Sequence, residues 1–217
     1  MSLAIFDLDN TLIAGDSDHL WGEFLIEQGK VDQEHYRERN DYFYREYKKG
    51  TLDIHAYLEF ALTPLRVFSR EELNSLHQAF MEHKILPLML PKAQALIEEH
   101  RQKGDTLLII TATNRFITAP IAKLLGIPHL LATEPEEIDG CYTGRATGIP
   151  CFQDGKVHRL REWLALMGQD LSTSYFYSDS VNDIPLLKEV SHPVAVDPDP
   201  LLRAYAEENR IPIISLR

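Results

Sequence analysis

Asp7 and Asp9 stand one residue apart, directly after the apolar run Leu3-Ala4-Ile5-Phe6, and Asn10 and Thr11 follow them. Two carboxylates at that spacing share one side of a strand if the strand continues, or converge on one pocket if the chain turns. Like charges held so close raise a pKa unless a cation lies beside or between them. The pair therefore asks for a metal, a proton, or both. A strand that simply ends in solvated acids would carry the same two residues, so the rest of the chain must decide. Three other polar clusters follow apolar runs or open a helix. They are Thr111-Ala112-Thr113-Asn114-Arg115, the lone Lys156, and Ser178-Asp179-Ser180-Val181-Asn182-Asp183. Several carboxylates with no cysteine–histidine set suit a hard divalent cation such as Mg2+. An Asp carboxylate can also attack phosphorus, and a second acid can protonate the leaving oxygen and then take a proton from water. A lysine and hydroxyl donors would offset the charge of the transferring group.

These groups act together only if the fold gathers them. Leu3–Phe6 reads as a strand buried on both faces, with polar residues at its carboxyl end, where an open α/β sheet binds its ligand. Thr106–Ile110, His129–Thr133, Tyr175–Tyr177 and His192–Val196 read as further strands, and Ile211–Ile214 as an edge strand. Helices are expected between them, over about 91–100, 117–125, 157–167, 184–189 and 201–208, with a loop or hairpin within 134–155. Residues 15–85 differ: helical spacings recur there without strand alternation. Ser17 or Asp18 is expected to cap the first of these helices, Pro64 interrupts, and Ser69-Arg70-Glu71-Glu72 opens another with a capping-box pattern. The expectation is a doubly wound, mainly parallel Rossmann-like α/β core over 1–14 and 86–217, with a helical cap over 15–85 inserted after the first strand.

Composition narrows the partners. The 217 residues have a formal net charge of −11 and are 44% hydrophobic, enough for a full core. That charge argues against a general nucleic-acid or anionic-membrane surface. No apolar stretch approaches the roughly 18 residues of a membrane span, and no signal peptide is recognised at the amino terminus. The two cysteines, Cys141 and Cys151, match no zinc spacing and are expected as free thiols in a reducing cytoplasm. The histidines show no metal spacing.

The order of Asp7-Leu8-Asp9-Asn10-Thr11, Thr111-Ala112-Thr113, Lys156 and Ser178–Asp183 resembles the haloacid dehalogenase superfamily, in particular its phosphoserine-phosphatase-like branch. The resemblance covers nearly the whole core. It implies a Mg2+-dependent phosphomonoester hydrolase acting through an aspartyl-phosphate on a small phosphorylated metabolite, as a monomer or homodimer. It implies Asp7 as nucleophile and metal ligand, and Asp9 as general acid/base whose backbone carbonyl also reaches the metal. Thr111, with Ala112 and Asn114, would meet the phosphate, and Lys156 would balance charge on Asp7 and the phosphoryl group. Asp179 and Asp183 would hold the metal. Asn114 and Arg115 either face the phosphate or only cap the next helix. Asp16 lies where phosphoserine phosphatases carry the acid that meets the substrate amine. The chain departs from those enzymes in having Thr-Ala-Thr where they have Ser-Gly-Gly, and no arginine within 55–63. That pattern suggests a cationic phosphate ester without a carboxylate, histidinol phosphate being one, with phosphoserine or a phosphomutase reaction as alternatives. A signalling receiver domain and a binding protein that has lost catalysis are rival readings; receivers are shorter and lack the insertion, and the intact Asp7/Asp9 pair speaks against lost catalysis.

Overall fold

The computed structural model describes residues 2–217. Strands β1 (Leu3–Phe6), β2 (Thr106–Asn114), β3 (His129–Ile138), β4 (Cys141–Thr147), β5 (Ser174–Ser178), β6 (His192–Val196) and β7 (Ile213–Ile214) form one sheet. Its order is β4-β3-β2-β1-β5-β6-β7. All pairings are parallel except that of β3 with β4. The α/β fold is thus the one expected, with β1 at its centre. Ala4 and Phe6 point into one hydrophobic cluster and Leu3 and Ile5 into the other, which is why this strand has no polar face. The chain runs outward from β1 through β2 and β3, then returns to the other side of β1 with β5. The order reverses at β1, and ligand crevices of open α/β sheets lie at such reversals, beyond the carboxyl ends of the strands.

Between β1 and β2 the chain forms α1 (Ser17–Glu27), α2 (Gln33–Lys49), α3 (Ile54–Ala61), α4 (Thr63–Val67), α5 (Arg70–Phe80) and α6 (Pro91–Gln102). Later come α7 (Arg115–Leu124), α8 (Asp154–Met167), α9 (Ile184–Leu187) and α10 (Pro200–Glu208). The two passages between β1 and the first five helices run side by side: Ile13 bridges Met89, and Ala14 N donates to Leu88 O at 2.9 Å.

Several boundaries differ from the expectation. Asp16, not Ser17 or Asp18, caps α1; its carboxylate accepts from Asp18 N and His19 N, while Ser17 N is taken by Asp9. Pro64 does not interrupt but sits in the first turn of α4, where its missing N–H costs nothing. Ser69 does cap α5, accepting from Glu72 N at 3.2 Å, but that helix stops at Phe80 and passes into a π-helical turn, Met81–Ile85. β2 runs past Ile110 to Asn114 because its polar end keeps pairing with β3 across a register shift. α8 begins at Asp154, so Lys156 lies in its first turn.

Candidate active site

Asp7 leaves β1 at its carboxyl end, next to the ends of β2 and β5. Lys156 approaches from α8, its Nζ donating to Asp7 Oδ1 at 2.8 Å and to Asp183 Oδ2 at 2.8 Å. All three side chains are almost fully buried. The first turn of α8 can pass this close because residue 155 is glycine: a Cβ there would lie 2.1 Å from Pro150 O, a clash with backbone that no rotamer relieves. Asp183 is fixed further by Ser178 Oγ, which donates to its Oδ2 at 2.7 Å. Asp179 is tied to Asp7 through Thr11, whose hydroxyl donates to Asp179 Oδ1 at 3.0 Å, lies 3.4 Å from Asp7 Oδ2, and accepts from Asp179 N at 3.1 Å.

Asp9 turns the other way. Its Oδ1 accepts from Ser17 N at 2.6 Å and its Oδ2 from Thr113 Oγ1 at 2.8 Å. Its carboxylate therefore faces the insertion and the end of β2, away from Asp179. Thr111 is buried beside it, with Oγ1 accepting from Thr113 N at 3.2 Å.

Burial dominates the titration of this cluster. It pushes the Asp7 carboxyl up to about 7, with Lys156 opposing and Asp183 and Asp9 adding to the rise. It pushes Asp9 up to about 6; Asp16 adds, and the Ser17 and Thr113 hydrogen bonds oppose. Asp179 is raised well above the usual carboxylate range by burial and by Asp7. Lys156 is held protonated by Asp183 and Asp7, which outweigh its own burial. One ammonium thus serves Asp7 and Asp183 only, and Asp7 and Asp179 converge on a single threonine hydroxyl. A hard divalent cation beside Asp7 and Asp179 fits that oxygen-only, charge-deficient donor set. Asp183 Oδ1 has no hydrogen bond, although Lys156 Nζ is 2.7 Å away, so one of its oxygens retains acceptor capacity toward an ion or a water.

Above the two acids lies a cavity. Asp7, Asp9, Thr111, Ala112 and Thr113 form its floor, and residues of α1, α2 and α3 with their connections form its roof. Asp16 and Ala112 line it. Asn114 does not: it is buried as the cap of α7, Oδ1 accepting from Ile117 N at 3.3 Å. Its expected place among phosphate-binding residues is corrected to that capping role, because β2 carries it one position past the cavity floor. Arg115 is likewise engaged elsewhere, in a two-pronged pair with Glu134, which Arg159 of α8 also meets at 3.2 Å. Thr11, Thr113 and Ser178 were not singled out from the sequence. Each lies inside a motif, and their hydroxyls orient the carboxylates. Outside this site, His19, Glu23 and Asp41 bring ligand atoms within 4.8 Å of one another. Arg37 reaches Glu23 and Asn40 reaches His19 Nδ1, so protein groups already engage that trio.

The haloacid dehalogenase-like hydrolase family model matches residues 4–188. A histidinol-phosphatase of Neisseria meningitidis is 46% identical over 100% of this chain and 99% of its own length. A phosphoserine phosphatase of Mycobacterium tuberculosis is 32% identical over 94% of this chain and 68% of its own. Among solved structures, a protein of unknown function from Bordetella pertussis superposes with a TM-score of 0.93 at 44% identity, over 100% of this chain and 99% of that one. A substrate-bound phosphoserine phosphatase superposes with a TM-score of 0.73 at 20% identity, over 97% of this chain and 91% of that one, a likeness of fold. The matched core, with its acid pair at the end of β1, places this chain in the haloacid dehalogenase-like hydrolases.

Proposed function

We propose that this protein is a Mg2+-dependent phosphatase of a small phosphorylated metabolite, with histidinol phosphate as its substrate. The observation that carries the reaction is the arrangement of Asp7 and Asp9: adjacent at one strand end, under one cavity, with different partners. Asp7 is paired to Lys156 and faces Asp179, which suits a nucleophile. Asp9 is held by neutral donors with its carboxyl raised to about 6, which suits a group that gives and takes a proton near neutral pH.

In this reading Asp7 attacks phosphorus while Asp9 protonates the departing alkoxide, giving an aspartyl-phosphate and a free alcohol. Asp9, now a carboxylate, takes a proton from water as that water attacks phosphorus, and Asp7 is regenerated with release of phosphate. Lys156 and Thr111 neutralise and orient the phosphoryl oxygens. Asp7, Asp179, the Asp9 carbonyl and, directly or through water, Asp183 would hold Mg2+, which when bound supplies charge neutralisation for the transferring group. Residues 15–85 act as the lid that keeps bulk water out. The substrate assignment rests on the Neisseria relative, which is similar over its whole length. Phosphoserine is the second candidate, from the Mycobacterium relative. No helix of the described residues is long and apolar enough to cross a membrane. The unpaired Cys141 and Cys151 support action in a reducing cytoplasm.

Asp7→Asn should abolish turnover of p-nitrophenyl phosphate and of histidinol phosphate while leaving the unfolding temperature unchanged or higher. Removal of divalent cations with a chelator should stop turnover, and Mg2+ should restore it. Turnover by the Asp7→Asn protein would remove the nucleophile assignment, and turnover indifferent to chelator would remove the metal.

A further inference from the structure

The sequence points to Asp16 as the acid that meets a substrate cation, yet the structure commits one of its oxygens elsewhere. Asp16 Oδ1 accepts from Asp18 N at 3.1 Å and from His19 N at 2.8 Å, the ordinary work of a helix cap. Lys48 also lies near enough to favour its charged form, and the same ammonium sits 4.5 Å from the centre of the Tyr44 ring. Asp16 therefore already has partners.

Asp18 differs. It lines the same cavity, two residues further along, in the first turn of α1. The charged groups that act on it, Asp16 and Asp9, are both negative, and its polar neighbour is the Tyr57 hydroxyl from α3. Tyr36 of α2 feels its charge as well. Three helices thus meet at a carboxyl group that has a hydroxyl beside it but no cation. Burial holds that carboxyl up at about 8. The neighbouring lining is aromatic, with Phe43, Tyr44, Tyr47 and Tyr57, and among the described residues no arginine or lysine lines the cavity.

We infer that Asp18 is the specificity-determining residue of this site, receiving the ammonium or imidazolium end of a carboxylate-free phosphate ester whose phosphoryl group rests at Asp7. A cation entering here gains a carboxylate in a water-poor space and faces of aromatic rings. A substrate carboxylate would instead meet Asp16 and Asp18; the nearest ammonium, Lys48, is already engaged with Asp16 and the Tyr44 ring, and burial biases His19 of the lining toward its neutral form, so the same wall disfavours it. This inference rests on the phosphatase reading above and adds to it which residue selects the substrate, and for what chemistry.

The test compares kcat/KM for histidinol phosphate, phosphoserine and p-nitrophenyl phosphate in the Mg2+-loaded wild type, Asp18→Asn and Asp18→Glu. The wild type should prefer histidinol phosphate to phosphoserine by at least about 10-fold. Asp18→Asn should lower the ratio of histidinol phosphate to p-nitrophenyl phosphate by at least about 10-fold, chiefly through KM, and Asp18→Glu should restore part of it. A smaller fall in that ratio overturns the inference. Turnover of none of the three esters by the wild type would instead overturn the phosphatase reading itself. A measurement on the wild type alone guards against variants that do not fold. Unphosphorylated histidinol should compete with p-nitrophenyl phosphate at least about 10-fold better than histidine, which differs by its carboxylate. Equal inhibition overturns the inference.

Discussion

Lys156 Nζ is 2.8 Å from Asp7 Oδ1, and the same ammonium is 2.8 Å from Asp183 Oδ2, so one buried cation holds the ends of β1 and β5 at a fixed separation. The three groups come from positions 7, 156 and 183 and meet only in the folded chain. Removing the cation would leave two buried carboxylates facing each other.

Lys156→Met should therefore lose both activity and stability. Breaking a buried pair by deleting one partner costs about 3–5 kcal/mol, which should appear as a lower urea midpoint in the metal-free protein. Turnover should fall by about 10^3-fold or more as the phosphoryl charge loses its partner. A Lys156→Met protein with the wild-type midpoint would show that the ammonium is dispensable to the fold, against the geometry.

Thr113 lowers the proton affinity of Asp9, against the burial that raises it. Its hydroxyl donates to Asp9 Oδ2 at 2.8 Å and so favours the ionised acid. Thr113→Val removes that donor, and the Asp9 carboxyl should rise above its present value of about 6. In the proposed mechanism ionised Asp9 assists hydrolysis of the aspartyl-phosphate, so the acidic limb of the single-turnover hydrolysis rate should move to higher pH. A rise of about one unit would lower the rate at pH 7 by about 2-fold. A limb that stays in place or moves to lower pH would detach Thr113 from this role.

The carboxylates were legible because an all-apolar run such as Leu3–Phe6 fits a strand buried on both faces, and acids directly after such a strand fall at the sheet's carboxyl end. Lys156 was legible only through the order of motifs, since a lysine near a helix start is usually solvated. The roles of Asn114 and Arg115 were not legible. A polar pair after a strand reads alike whether it faces a ligand or caps a helix. The choice was made by Glu134, on the next strand, which takes both Arg115 and Arg159. Asp18 was hidden for a similar reason. Within Asp16-Ser17-Asp18 any of the three could cap α1, and only the hydrogen bond from Ser17 N to Asp9 fixes the register that leaves Asp18 to the cavity.

Asn182 joins α2 to the segment that follows β5. Its Nδ2 donates to Tyr47 O at 2.9 Å, its Oδ1 accepts from Gln153 Nε2 at 3.0 Å, and the residue is buried. Tyr47 lines the cavity, so this contact holds the roof to the loop that carries Asp179 and Asp183. Asn182→Ala should cost about 1–2 kcal/mol of that contact, raise KM by about 10-fold, and speed amide exchange at 47–51 relative to the sheet. Unchanged exchange there would mean that the roof is held by other contacts.

The carboxyl of Asp18 also carries a stability prediction whose sign is fixed by its titration. Burial raises it from 3.8 to about 8. The folded protein therefore binds more protons than the unfolded chain between those values, and stability falls as pH rises through that window. The contribution is fully present below the unfolded pKa and is lost as pH passes the folded one. Asp18→Asn replaces the acid by a neutral group of the same shape and removes this slope. In the metal-free, substrate-free protein, Tm of Asp18→Asn should exceed that of the wild type by roughly 2–6 °C at pH 8.5, and the gap should close as pH falls toward 5. A residue kept at a cost to the empty fold is what a binding site for a cation requires, because the ligand restores what the unpaired charge takes away. An Asp18→Asn protein less stable than wild type at pH 8.5 would show instead that the carboxylate is already paired within the fold.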